Sequence, residues 1–339
     1  MTPKRLFVAG LLLAAIALAL MVVAPADALR AWLAAMFLWS GVPVGSLGFL
    51  MIVRVVGGRW GHGLSLPFEA GALTLPIIAA ALLPLLLGMA VLYPWVGAGG
   101  SGFRAAWLSP PWFALRSLLL LAGLGIASWA LVRRRGPAVS VSSAGLLFLI
   151  PMMSIVAVDW LVSLDAGFHS SGFGLYALSI QFTVALMTAM WMLLGRQPDR
   201  TATLGALSIT MILIWLYLAF TSYFIIWSGD LATVVGWYQQ RGRGSWGVAI
   251  GISAVIESAA FLVLLLTKAR HSARGLRALA AVIVFGKAIE AAWLVLPQGG
   301  EMRIGAVAMV ALASAALGLI VVQAQQYLFD RRLAERTPE

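Results

Sequence analysis

Lys287 and Glu290 stand three residues apart in VIVFGKAIEAAWLVLP (282–297), a run with no other charged residue. Three residues along a helix is one face, so the ammonium and the carboxylate can pair. A second acid, Glu257, lies in the preceding apolar run SAVIESAAFLVLLL (253–266). One ammonium cannot neutralise two carboxylates, so one of the acids is poised to take up a proton. Three chemistries fit the trio: a proton relay, a buried ion pair that locks two helices together, and a polar foothold for a substrate. Asp159 and Arg116 sit in two other apolar runs, and Arg116 is expected to snorkel or to pair with an anion at the membrane boundary. A hydroxyl and aromatic group, Tyr217, Thr221, Ser222, Tyr223 and Trp227, marks another run. Tyr217 lies deepest and could join a water chain or a ring pocket, whereas Tyr223 and Trp227 read as an interfacial belt.

The elements that carry these residues must be membrane helices. The chain is 62% hydrophobic and 10% charged over 339 residues, with a mean hydropathy of +0.98, whereas soluble domains carry about 25% charged residues. Ten apolar runs, near 6–24, 31–56, 69–93, 112–132, 143–164, 172–194, 203–227, 246–267, 277–297 and 305–328, are each long enough to cross ~30 Å of hydrocarbon. Backbone groups find no water there, so the runs are helical and the fold is all-α, a single integral membrane domain over 1–339. The first run resembles a signal peptide but exceeds the usual 7–15-residue apolar core of one, which favours a retained helix. At the rise of roughly 1.5 Å per residue, Lys287, Glu290 and Glu257 all fall near mid-membrane, where charge is costly.

Basic residues set the direction. Lys4, Arg5, Arg54, Arg59, Arg133 to Arg135, Arg196, Arg200, the 268–277 group and Arg331, Arg332 and Arg336 fall on one side. The other side has Arg30, Arg104, Arg241, Arg243 and Arg303, with Arg116 just inside a span. That asymmetry places both termini in the cytoplasm. The net charge of +11 is spread over short loops rather than one soluble face, which argues against nucleic acid. The absence of cysteine excludes disulfides, thiolate chemistry and covalent c-type haem. The three histidines, His62, His169 and His271, fall near span ends and do not pair for haem, so no metal site is expected. GAGGSG (97–102) is a loop between spans rather than a phosphate cradle. No internal duplication is evident, and no catalytic residue set stands out.

Two stretches, DWLVSLDAGFHSSGFGLY (159–176) and AFTSYFIIWSGDLATVVGWYQQRGRGSW (219–246), followed by WLVLP (293–297), carry a family resemblance. They resemble the membrane subunit of alternative complex III that is often called quinone-binding subunit 2. That complex is a bacterial quinol:electron-acceptor oxidoreductase, and the subunit is related to polysulfide reductase-type membrane subunits. The resemblance covers about 147–297; the first 140 residues agree in hydropathy and span count alone. Where the family reads His-x-x-Asp before the span-nine proline, this chain has Lys287 and Glu290, and Glu257 lies near the place of a family histidine in span eight. The resemblance implies two four-helix bundles plus flanking helices in the bacterial inner membrane. It also implies partners: a related quinol-oxidising subunit, an iron–sulfur protein and haem c subunits, with lipids around them. Haem c and iron–sulfur clusters would sit in those partners, and quinone or quinol would act at the level of the complex.

On that resemblance the chain is expected to be a non-catalytic subunit that contributes a proton pathway. Asp159, with Asp165 and His169 at its outer mouth, forms one half of the expected route. Glu257, Lys287 and Glu290 form the central relay, with Tyr217 nearby. Asp230 and Arg241, in the outer loop, are expected to contact partner subunits. The competing expectations are a purely structural subunit and a stand-alone secondary transporter. For the transporter, Pro76, Pro84 and Pro151 interrupt spans, but no matching pair of broken segments is present.

Overall fold

A computed structural model describes residues 3–58, 61, 63–98, 101–133, 138–165, 167–229 and 232–336. Among the described residues, ten helical segments are long and apolar enough to cross a membrane. In chain order they are α1 (Pro3–Val23), α2 (Pro25–Val56), α3 (Ser65–Leu87), α4 (Pro110–Arg133) and α5 (Val139–Leu164). They continue with α6 (Phe173–Leu194), α7 (Pro198–Gly229), α8 (Gly244–Leu265), α9 (Ala273–Gln298) and α10 (Ile304–Arg336). No strand occurs among the described residues. The protein is a multi-pass membrane protein, and ten crossings bring both termini to one face.

Helices α2 to α5 pack as one four-helix bundle and α6 to α9 as a second, while α1 and α10 pair with each other and lie against α2. The two bundles join where α2 meets α6, and in each of these two helices 89% of the apolar window is buried, against 22% in α7 and in α8. Lipid tails are as apolar as leucine, so no hydrophobic drive pulls such helices together; close backbone approach must do it. The sequence GVPVG (41–45) supplies it. A Cβ on Gly45 would lie 2.5 Å from the Gln181 carbonyl oxygen, and one on Gly41 would lie 3.1 Å from it. Beside the seam the Gln181 amide donates to Ser40 Oγ at 2.9 Å. Two indoles fasten further helices to α2: Trp32 donates to the Ala81 carbonyl at 2.7 Å and Trp39 to the Ser314 carbonyl at 2.8 Å.

Charged residues close both ends. On the face carrying the termini, the buried Glu69 of α3 meets Arg54 at 3.6 Å, Arg332 at 2.9 Å and Arg336 at 2.8 Å, tying α2, α3 and α10. On the opposite face Arg303 reaches Asp27 at 2.5 Å. That opposite face also carries a short helix, Ala232–Gly242, between α7 and α8.

Candidate functional site

Gly286 sets the approach of α8 to α9. A Cβ there would come within 3.1 Å of Ile256, and Ser253 on α8 donates to the Gly286 carbonyl at 3.0 Å. The next residue, Lys287, therefore meets α8 at Glu257. The ammonium lies 3.1 Å from Glu257 Oε1 and 2.9 Å from Glu290 Oε2, and all three side chains are fully buried. The spacing of Lys287 and Glu290 thus does what one helical face requires, and the proximity of Glu257 follows from a glycine contact.

The two acids are served unequally. Glu290 Oε1 accepts from the Tyr176 hydroxyl of α6 and from the Trp215 indole of α7, the latter at 2.8 Å, while Oε2 takes the ammonium. The Lys287 Nζ also sits 3.5 Å from the centroid of the Trp215 ring. Glu257 has the ammonium alone, and its Oε2 meets no donor among the described residues. With both acids ionised the cluster carries one net negative charge in hydrocarbon. A proton on Glu257 removes that charge and breaks no hydrogen bond, whereas a proton on Glu290 disturbs three donors.

A cavity of about 690 Å³ reaches the cluster from the face opposite the termini. Tyr176, Trp215, Glu290 and Trp293 stand at its polar end, and Phe220, Tyr223 and Trp227 of α7, all exposed, flank its opening between α7 and α8. The helix Ala232–Gly242 covers it. Trp237 of that helix stacks on Phe168 with centroids 4.2 Å apart and meets Trp293 edge-on at 5.4 Å. The stretches 159–176 and 219–246 therefore fold onto each other. The first sends the Tyr176 hydroxyl to Glu290, and the second forms a wall of the cavity that leads there.

The other expected site residues fall elsewhere. Asp159 is buried in the first bundle under a two-pronged Arg116 contact, at 2.6 and 3.0 Å. Arg116 also donates to the Trp107 carbonyl at 2.9 Å and lies over the Trp107 ring. No hydrogen bond connects Asp159 to the Lys287 cluster among the described residues. Asp165 and the exposed His169 line a separate cavity of about 210 Å³ with Trp107. Asp165 nonetheless touches α9, through the Gln298 amide at 3.0 Å. The contacting rings of Phe168, Trp237 and Trp293 stand between the two cavities.

Tyr217 does not reach the cluster. It is 67% exposed, because two residues on from the inward-facing Trp215 is about 200° around the helix. The tyrosine hydroxyl that reaches the cluster is that of Tyr176. Arg241 is not a surface contact either. It is fully buried, stacked 3.9 Å over Trp237, with Nε and Nη1 unpartnered among the described residues. Burial pushes its guanidinium down to about 10, with Asp165 acting in the opposite sense. Asp230 lies outside the described residues. Trp215 had no signal in the sequence beyond an indole in an apolar run, whereas Tyr176 closes the stretch 159–176. A comparison with family models and with curated proteins matched nothing.

Proposed function

We propose that this chain is a non-catalytic membrane subunit of a bacterial respiratory quinol:electron-acceptor oxidoreductase, and that Glu257, Lys287 and Glu290 form its proton-exchange centre. In this reading it lies in the inner membrane with both termini cytoplasmic, beside a related quinol-oxidising subunit and partners that carry iron–sulfur clusters and haem c. The observation that carries the proposal is the unequal service of two buried acids by one lysine, at the end of a cavity. Intramembrane ionisable groups that face a cavity mark pathways more often than accidents of packing.

Glu290, at the cavity wall, is the group protons reach first. Lys287 passes charge between the two acids, and Glu257, closed off behind it, holds the proton. Electron transfer in a neighbouring subunit would bias that equilibrium by altering the field across the second bundle. Asp159 is held by Arg116 and acts as a structural tie, and Asp165 with His169 forms a polar mouth on the same face. The test is Glu290→Gln and Glu257→Gln in the assembled complex, with proton release compared with electron transfer. Fewer protons per electron with intact turnover supports the proposal; unchanged stoichiometry with normal assembly overturns it.

One observation favours a purely structural role instead: Glu290 and Lys287 together tie α6, α7, α8 and α9. Replacing all three charged residues by apolar ones of similar volume separates the readings. Full turnover and proton release in that variant would leave only the structural role.

A further inference from the structure

Two hollows share one residue on the face that carries the termini. The first, about 180 Å³, is lined by Trp191, Gly195 and Arg196 at the end of α6, by Arg277 at the start of α9, and by Asp330 and neighbours near the end of α10. The second, about 250 Å³, lies deeper between the same three helices and α2. Trp191 lines it too, with Trp39, Ala280, Ala281, Val284 and Val322. A polar hollow at the membrane boundary therefore adjoins an apolar one below it, with Trp191 lining both.

The polar hollow has a surplus of positive charge. Arg196 is paired with Asp330 at 2.7 Å. Arg277 stacks on Trp191, with its guanidinium carbon 4.6 Å from the ring centroid, and its buried Nε meets no acceptor among the described residues. Gly195 lies beneath it: a Cβ there would already be 3.8 Å from the guanidinium carbon. One acid against two arginines leaves a net charge of +1, and the buried Nε needs an acceptor that the described residues do not supply.

We propose that this groove is a binding site for one anionic phospholipid of the leaflet on the terminal side. Its phosphodiester accepts from Arg277 and Arg196, and one acyl chain lies along Trp191, Ala280, Val284 and Val322. Basic pockets between helix ends take such headgroups. The arrangement argues for lipid over a free anion, because Arg277 stacks on the Trp191 ring that also lines the apolar groove, which a lone phosphate leaves unfilled. The net positive charge argues for a headgroup with no cation of its own, such as phosphatidylglycerol, over a zwitterionic one. The bound chain would seal α6, α9 and α10 on the side away from the large cavity.

The full chain, purified in a neutral detergent, is melted alone and with phosphatidylglycerol, phosphatidylcholine or inorganic phosphate. Phosphatidylglycerol is expected to raise the midpoint by a few degrees, and the other two are not. Arg277→Gln is expected to weaken phosphatidylglycerol binding about fivefold, the effect of about 1 kcal/mol per basic residue near the surface. Ala281→Trp, on a lipid-exposed position, fills the acyl groove and leaves both arginines in place, so it tests the site even where the arginine variant does not fold. It should abolish the phosphatidylglycerol shift. Equal shifts from both lipids, a full shift from inorganic phosphate alone, or an undiminished shift in Ala281→Trp each overturn the proposal.

Discussion

The Lys287 ammonium lies over the face of Trp215 at 3.5 Å from the ring centroid, while the same indole donates its N–H to Glu290 at 2.8 Å. One side chain therefore stabilises the cation through its ring and the anion through its edge. Trp215→Phe keeps the ring and removes the N–H. It should cost about 1.5–3 kcal/mol, the range for a hydrogen bond to a charged group, and a melting curve in detergent reads the loss. Trp215→Leu removes both contacts and should cost more.

The two acids should respond differently to neutralisation. Glu257→Gln leaves Lys287 and Glu290 as a balanced pair with every Glu290 donor in place, so stability should change by less than about 1 kcal/mol. Lys287→Met leaves two buried carboxylates without a cation and should cost about 3–5 kcal/mol, as breaking a buried pair does. Thermal midpoints of the two variants, measured at one pH, rank them. A Glu257→Gln chain that melts far below Lys287→Met would contradict the geometry.

Arg116 and Asp159 give a cleaner double-mutant test because the contact is two-pronged and buried. Either Arg116→Leu or Asp159→Leu alone strands a charge and should cost about 3–5 kcal/mol. The double variant should recover most of that. Proton release should not respond beyond what stability explains, since Asp159 has no hydrogen bond to the Lys287 cluster among the described residues.

Arg241 is buried without a direct carboxylate partner among the described residues. Burial holds its guanidinium at about 10, below its ordinary value, so its charged form is penalised in the fold. The penalty is complete below about pH 10 and fades as pH rises further, because the native side then sheds its proton first. Arg241→Met should accordingly be neutral or stabilising by about 1–3 kcal/mol near neutral pH, and the gain should shrink above about pH 10. Denaturation midpoints across that range check the sign.

Gly45 tests the seam between the bundles. Its missing Cβ would stand 2.5 Å from a backbone oxygen, which no rotamer change relieves. Gly45→Ala should force α2 away from α6 and cost at least about 2 kcal/mol. Gly236, with nothing near its absent Cβ, is the matched control.

Buried ion pairs join helices in both bundles, Arg116 with Asp159 in the first and Lys287 with Glu257 in the second. The sequence showed all four residues as misplaced charge in apolar runs, and it paired Lys287 with Glu290 from their spacing. Hydropathy is a local property, so ten spans and their order could be read without a partner in view. The eighth span was expected near 246–267 and runs Gly244–Leu265.

What the sequence could not decide is which side chain meets which across helices, because that depends on rotation and on glycine contacts that hydropathy does not record. Tyr217 and Trp215 are both aromatic residues of one span, and only the orientation of α7 sends the second to Glu290 and the first to the exposed face. Tyr176 and Gly286 likewise acquire their roles from neighbours far along the chain. The charges of this protein were determined by composition, and their chemistry was determined by packing, because in hydrocarbon a titratable group is defined by the few donors that can reach it.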